Sequence, residues 1–172
     1  GRRVRAELLD EGLDIVRGLW AGQPFSYTGR HFTVRPTDFM VPPPPVQRPG
    51  VPIWVVGGWP AEKSMRRAAR ADGWLPNLVG GPPGAPGKVT PDTVREGLAW
   101  IRDQRRVDGL PEQGYDVIAE GVTDPADRSR ASDQVAAWAD AGATWWIEGD
   151  WAVDRERVRD YAMRRLAAGP PH

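Results

Sequence analysis

Leu8, Leu9, Leu13, Val16, Leu19 and Trp20 recur at the three- and four-residue spacing of a helix, with Asp10, Glu11, Asp14 and Arg17 on the opposite face. That period predicts a helix over 5–20, ended by Gly22. The period then shortens to two. Phe25-Ser26-Tyr27 and His31-Phe32-Thr33-Val34 flank Thr28-Gly29-Arg30, which predicts a short β-hairpin with His31 as a surface residue. Prolines crowd residues 36–52, most densely at 42–45; they exclude helix and predict an extended connector.

Beyond residue 52 the pattern becomes a regular alternation. Ile53-Trp54-Val55-Val56 is apolar, β-branched and too short for a helix; Gly57-Gly58 ends it, and Pro60 opens a helical stretch over 61–71. A second strand is predicted over 73–79, followed by a glycine- and proline-rich loop to residue 91 and a helix capped by Asp92 that runs to 106. The third strand spans 115–120 with a helix from about 131 to 141, and the fourth spans 144–148 with a helix over 154–168. Strands alternating with helices imply a parallel sheet in sequential order, with the helices outside it. The predicted fold class is therefore α/β. A helix, a hairpin and a Pro-rich connector fill residues 1–52, and four βα units fill 53–172, as an open doubly wound sheet or as part of a (β/α)8 barrel.

Composition narrows the chemistry more than the fold. The 172 residues carry 23 basic and 23 acidic side chains, so no net field draws the chain to nucleic acid or to an anionic membrane. The absence of cysteine removes thiolate nucleophiles, disulfides and zinc–thiolate or iron–sulfur sites, and it fits a cytoplasmic location. Only His31 and His172 are histidines, too few for a histidine-rich metal cluster, so no metal is expected. The longest apolar runs fall far short of the ~20 residues a membrane-spanning helix needs. All basic residues except Lys63 and Lys88 are arginine, which reads as a coding bias. Gly1 stands where a methionine would start a chain and runs straight into helical pattern, so the sequence is expected to be cut from something longer.

Four features invite a chemical reading. Residues 80–90 approach the phosphate-loop pattern G-x-x-x-x-G-K-[ST] but place Pro82 at its first glycine and Val89 at its hydroxyl position, while the prolines remove amide donors. A surface connector is the better account. Gly57-Gly58-Trp59 precedes a helix start whose free amides suit a phosphate, although composition alone favours a plain tight turn, and Glu62 would repel an anion unless it faced away. Glu120 and Glu148 each close a strand ahead of Gly121 or Gly149, at the end that forms the functional face of α/β barrels. They could orient a substrate or move protons, or equally form structural ion pairs with arginines; Asn77 lies in a similar position. Trp145 and Trp146 must point to opposite faces of their strand, as core residues.

Several segments together resemble the luciferase-like monooxygenases, the flavin- or deazaflavin-dependent (β/α)8 oxidoreductases. They are the stretch from Leu8 to Trp20 followed by Gly22 and residues 25–32, Pro44-Pro45-Val46-Gln47-Arg48-Pro49 leading into residues 51–58, and Ala68-Ala69-Arg70-Ala71-Asp72-Gly73-Trp74. Residues 115–121 and 141–148 look like the last two barrel strands of a flavin-dependent subgroup, so the likeness covers nearly the whole chain and follows the order of the family's C-terminal half. The resemblance implies FMN, or coenzyme F420 in some branches, with the phosphate-bearing tail near Gly57, Gly58 and Trp59. It further implies a small organic substrate, to which Asn77, Glu120 and Glu148 are assigned, and a flavin reductase as partner. Reduced FMN would react with oxygen on paired donors, whereas F420 would transfer hydride. The catalytic residues are expected in N-terminal strands that these residues do not contain, since a full barrel takes about 250 residues. The competing expectations are a non-catalytic half-barrel that self-associates through open strand edges and an unrelated phosphate-binding barrel, the latter disfavoured by the hairpin and connector.

Overall fold

The computed structural model describes residues 1–38, 45–47, 50–80 and 88–171. Residues 39–44 and 48–49 of the Pro-rich connector, residues 81–87 of the following loop and His172 lie outside the described residues. The chain divides into two compact units, residues 1–52 and 53–172.

In the first unit, helix α1 (Arg2–Ala21) precedes strands β1 (Phe25–Thr28) and β2 (Thr33–Thr37), paired antiparallel. Gly22 leaves the helix at φ 135°, a backbone that favours glycine. Pro36 falls inside β2 rather than in the connector, which a two-stranded ribbon tolerates because each strand has a free edge. A carboxylate clasp joins hairpin to helix. Glu11 accepts the backbone N–H groups of Arg30, His31 and Phe32 at 2.8–3.1 Å. Glu7 accepts from Arg3, from Arg30 and from His31 Nε2, the last at 2.8 Å. The Arg3 and His31 hydrogen bonds hold the Glu7 carboxyl down at about 2. His31 is thus not the surface residue the hairpin pattern suggests: its side chain is only 19% exposed because Glu7 draws it onto the helix.

The second unit alternates β3 (Trp54–Trp59), α2 (Glu62–Arg70), β4 (Gly73–Leu78), α3 (Pro91–Val107), β5 (Asp116–Gly121), α4 (Arg128–Asp140), β6 (Trp145–Glu148) and α5 (Val158–Ala168). The four strands are parallel and lie in sequential order, β3-β4-β5-β6, as four consecutive βα units of a (β/α)8 barrel would. Three boundaries differ from the sequence reading. Gly57, Gly58 and Trp59 belong to β3 itself, because their pairing with Pro76, Asn77 and Leu78 carries the ladder past the apolar run. Helix α3 is capped by Thr90 through a reciprocal box with Thr93, not by Asp92, which sits in the first turn and pairs with Arg95. Helix α5 begins at Val158, since residues 154–157 form a turn closed by the Arg157 N–H on the Asp154 carbonyl.

The core lies on the face of the sheet covered by α2 and α3. Met65, Ala68 and Ala69 from α2 and Val94, Leu98 and Ile101 from α3 pack with Val117 around Trp74, which is fully buried. The Trp74 indole N–H donates to the Gly57 carbonyl at 2.9 Å. Two glycines make room for the ring: a Cβ on Gly57 would lie 2.6 Å from Nε1, and one on Gly97 would lie 2.2 Å from the six-membered ring. Arg105, 6% exposed, has no carboxylate partner among the described residues; its guanidinium donates to the carbonyls of Ala69, Ala71 and Pro111, satisfying the end of α2.

On the opposite face the first residues of all four strands interlock. Trp54 of β3 reaches over Gly73 of β4, donates to Asp116 of β5 at 3.1 Å and meets Trp145 of β6 in a tilted ring contact, centroids 5.2 Å apart and planes at 57°. Trp145 donates to the other Asp116 oxygen, joined by the Thr144 hydroxyl. A Cβ on Gly73 would lie 2.5 Å from the Trp54 ring, so only glycine lets the indole cross. Flat strands three places apart stand about 14 Å from one another; ring contact across that span fits a sheet curved toward this face. Trp146 faces the other way and meets Trp138 of α4 at 6.0 Å, so the two tryptophans divide between the faces as alternation requires, but Trp145, 52% exposed, is not the core residue the sequence suggests, because no helix covers its face.

Candidate functional site

In a parallel sheet the loops that can carry chemistry leave the C-terminal strand ends. Pairing places Gly58 beside Asn77 and Gly121 beside Glu148 at that edge. The edge is split. Between β4 and β5 the ladder holds only at Gly73–Asp116 and Trp74–Val117, so the two strands part toward their C-terminal ends.

On the β3–β4 side, Gly57 is occupied by packing: its carbonyl takes the Trp74 indole, and Trp74 and Ala68 fill the space a side chain would need. Trp59 packs against the core, and its carbonyl accepts the Val79 N–H. Neither is the open turn residue that sequence suggested, because the strand continues through both. Gly58 remains at the edge. Its N–H donates to the Ser64 hydroxyl at 2.9 Å, and a Cβ there would meet chiefly the Val79 side chain at 2.7 Å. Helix α2 begins a few residues on with Ala61 as N-cap, and no side chain caps it. Glu62, which would repel an anion if it faced the turn, is drawn onto Arg66 at 2.7 Å. Ser64 escapes sequence reading, since an isolated serine in a first helical turn carries no motif. Asn77 is exposed beside Gly58.

On the β5–β6 side the two glutamates separate in role. Glu148 is fully engaged: it accepts the Thr123 N–H at 2.7 Å, the Thr123 hydroxyl at 2.8 Å and the Trp146 indole at 3.0 Å, and pairs with Arg165 at 3.3 Å. It lies on the Trp146 face, toward the helices, so the structural ion pair replaces the substrate role assigned to it. Glu120 is exposed, and among the described residues no hydrogen bond or ion pair holds it. It lines a cavity of about 740 Å³ between the parted strands, together with Pro76, Lys88, Thr90, Gln134 and Trp146. Among the described residues no group of three or more His, Asp or Glu could hold a metal, and no helix is long and apolar enough to cross a membrane.

Comparison with known proteins agrees with the fold. The solved structure of DmoA from Hyphomicrobium sulfonivorans superposes on 97% of this chain and 42% of its own, with a TM-score of 0.50 and 16% identity, which is a likeness of fold. The uncharacterized proteins Rv0940c of Mycobacterium tuberculosis and Mb0965c of Mycobacterium bovis are each 39% identical over 71 residues, 41% of this chain. That stretch spans only 23% of either relative's length. The model of the luciferase-like monooxygenases matches residues 2–165, and on that match the chain belongs to the luciferase-like monooxygenase family.

Proposed function

We propose that the chain contributes the cofactor-tail side of a flavin-dependent oxidoreductase, with FMN as the cofactor and F420 as the alternative. The observation that supports it is the uncapped start of α2 beside Gly58. Unsatisfied amides at a helix N-terminus suit a phosphate. The donor set fits such a group: the Ser64 hydroxyl accepts from Gly58 and so keeps its own proton to donate, and Glu62 is neutralised by Arg66. Bound reduced flavin would supply reducing equivalents to oxygen, and F420 would supply hydride. The work left to this chain is to bind the tail, orient the cofactor and limit water. Asn77 and Glu120 would orient a small organic substrate at the split edge, and a flavin reductase would deliver the reduced cofactor.

Comparing FMN with riboflavin by flavin fluorescence titration isolates the phosphate. FMN is expected to bind at least about tenfold more tightly, the worth of one good charge-assisted hydrogen bond, and Ser64→Ala should narrow the gap. Gly58→Val should weaken both ligands by crowding Val79 and the strand end. Equal affinity for FMN and riboflavin would remove the α2 start from the site.

A second reading, self-association through the sheet, rests on β3 and β6, each paired on one side only, and on Val56 and Trp145, each more than half exposed on the face opposite the core. Size-exclusion chromatography tests it: a concentration-independent monomer would exclude it.

A further inference from the structure

The second unit holds a cavity of about 520 Å³ behind β6, enclosed by residues 123–125, the first turn of α4 and helix α5. That volume is in the range of small-ligand sites, about 300–1,000 Å³. Its walls are largely apolar, including Pro125, Ala131, Trp146 and Leu166. Three donors are set into them. The Tyr161 hydroxyl is buried and has no hydrogen-bond partner, which costs free energy unless something supplies one. The Arg165 guanidinium lies 5.3 Å from the Tyr161 ring centroid and is only 16% exposed. It uses Nη1 alone, on Glu148 at 3.3 Å and on Thr123 Oγ1 at 3.4 Å, leaving Nε and Nη2 without a partner among the described residues. Arg128 spends one N–H on the Ala168 carbonyl, closing the far end.

Both carboxylates that line the cavity already have donors of their own. Glu148 already takes three donors shorter than its Arg165 contact, so it does not depend on that arginine. Asp124 sits exposed at the rim and accepts the Ala126 N–H. The start of α4 is already answered, since the Asp127 carboxylate caps it by accepting the Arg130 N–H at 3.0 Å. The cavity therefore sets two arginines against two carboxylates and leaves the Tyr161 hydroxyl and Nε and Nη2 of Arg165 without an acceptor among the described residues, within apolar walls.

We infer that this cavity is a binding site for a small carboxylic acid with an apolar body, its carboxylate held by Arg165 and the Tyr161 hydroxyl and its tail against Trp146, Ala131 and Leu166. A ligand without an acceptor would leave Nε and Nη2 of Arg165 and the Tyr161 hydroxyl without a partner, and a polyanion would find no room among the apolar walls. The inference is independent of the flavin reading, since none of these residues belongs to the α2 start.

Isothermal titration calorimetry with octanoate and benzoate, each against its primary amide, tests it on the intact protein. Each acid should bind saturably and at least about tenfold more tightly than its amide, as charge-assisted pairing with a guanidinium implies. Arg165→Met should bring the acids down to the amides, and Tyr161→Phe should weaken the acids several-fold while leaving the melting temperature near wild type. Equal affinity of acid and amide for the wild-type protein would overturn the assignment without recourse to any variant. So would the absence of saturable heat at millimolar acid, or unchanged acid affinity in a folded Arg165→Met protein.

Discussion

Helices α2 and α3 bury nine residues against the sheet, among them Met65, Leu98 and Ile101, whereas α4 buries only Ala131 and α5 buries none. The same alternation of strand and helix thus yields two kinds of packing. The first two βα units place the molecule's largest buried side chain, Trp74, under paired helices. The last two leave Met163 and Leu166 of α5 mostly exposed and enclose a cavity between α5 and β6. Close packing and room for a ligand compete for the same volume. Stability is therefore concentrated in one layer and open space in the other.

A matched pair of truncations would break or confirm that contrast most directly. Leu98→Ala removes a 5%-exposed side chain from the α3 layer and is expected to cost about 2–5 kcal/mol. Leu166→Ala removes the same atoms from a residue 76% exposed and should cost within about 0.5 kcal/mol. Denaturant titration of both variants measures the difference, and comparable losses would mean that α5 is as firmly packed as α3.

Asp116→Ala sharpens the comparison, because Asp116 is the tie between the two halves. Removing its carboxylate frees two indole N–H groups and the Thr144 hydroxyl, with an expected loss of about 1–3 kcal/mol. The Trp54–Trp145 contribution to the near-ultraviolet circular dichroism should fall with it, and an unchanged spectrum would show that the ring contact holds without the carboxylate.

The smallest effect is expected in the first unit, which serves as an internal control. Folding lowers Glu7 from its ordinary 4.5 to about 2, so its hydrogen bonds add stability at pH above 4.5 and lose it as pH falls toward 2. Glu11, whose carboxyl is likewise lowered, holds the amides of Arg30, His31 and Phe32 in the same clasp, so their hydrogen-exchange protection, taken against the intrinsic rate at each pH, should fall as the clasp is protonated while Ile118 in the second unit stays protected. Equal loss at both places would indicate global acid unfolding.

Much of this architecture is legible in the sequence, because period and turn chemistry are local. All four parallel strands, both elements of the hairpin and the helix order follow from apolar spacing and glycine placement. What escapes is decided by distant partners. Glu120 and Glu148 look alike along the chain, yet Thr123, Trp146 and Arg165 engage one and nothing described engages the other. Gly57 reads as a turn, and only the position of Trp74 shows it to be a packing glycine. Ser64, Tyr161 and the Asp116 clasp carry no motif at all.

The interlock of Trp54, Gly73, Asp116 and Trp145 has a consequence for engineering. It adds side-chain ties to the backbone ladder at the strand end remote from the loops after Leu78, Gly121 and Glu148. Loops at the opposite end can then be lengthened, shortened or exchanged without re-registering the sheet. A library that randomises the segments after Leu78, Gly121 and Glu148 while keeping those four residues would alter recognition on a frame that still pairs.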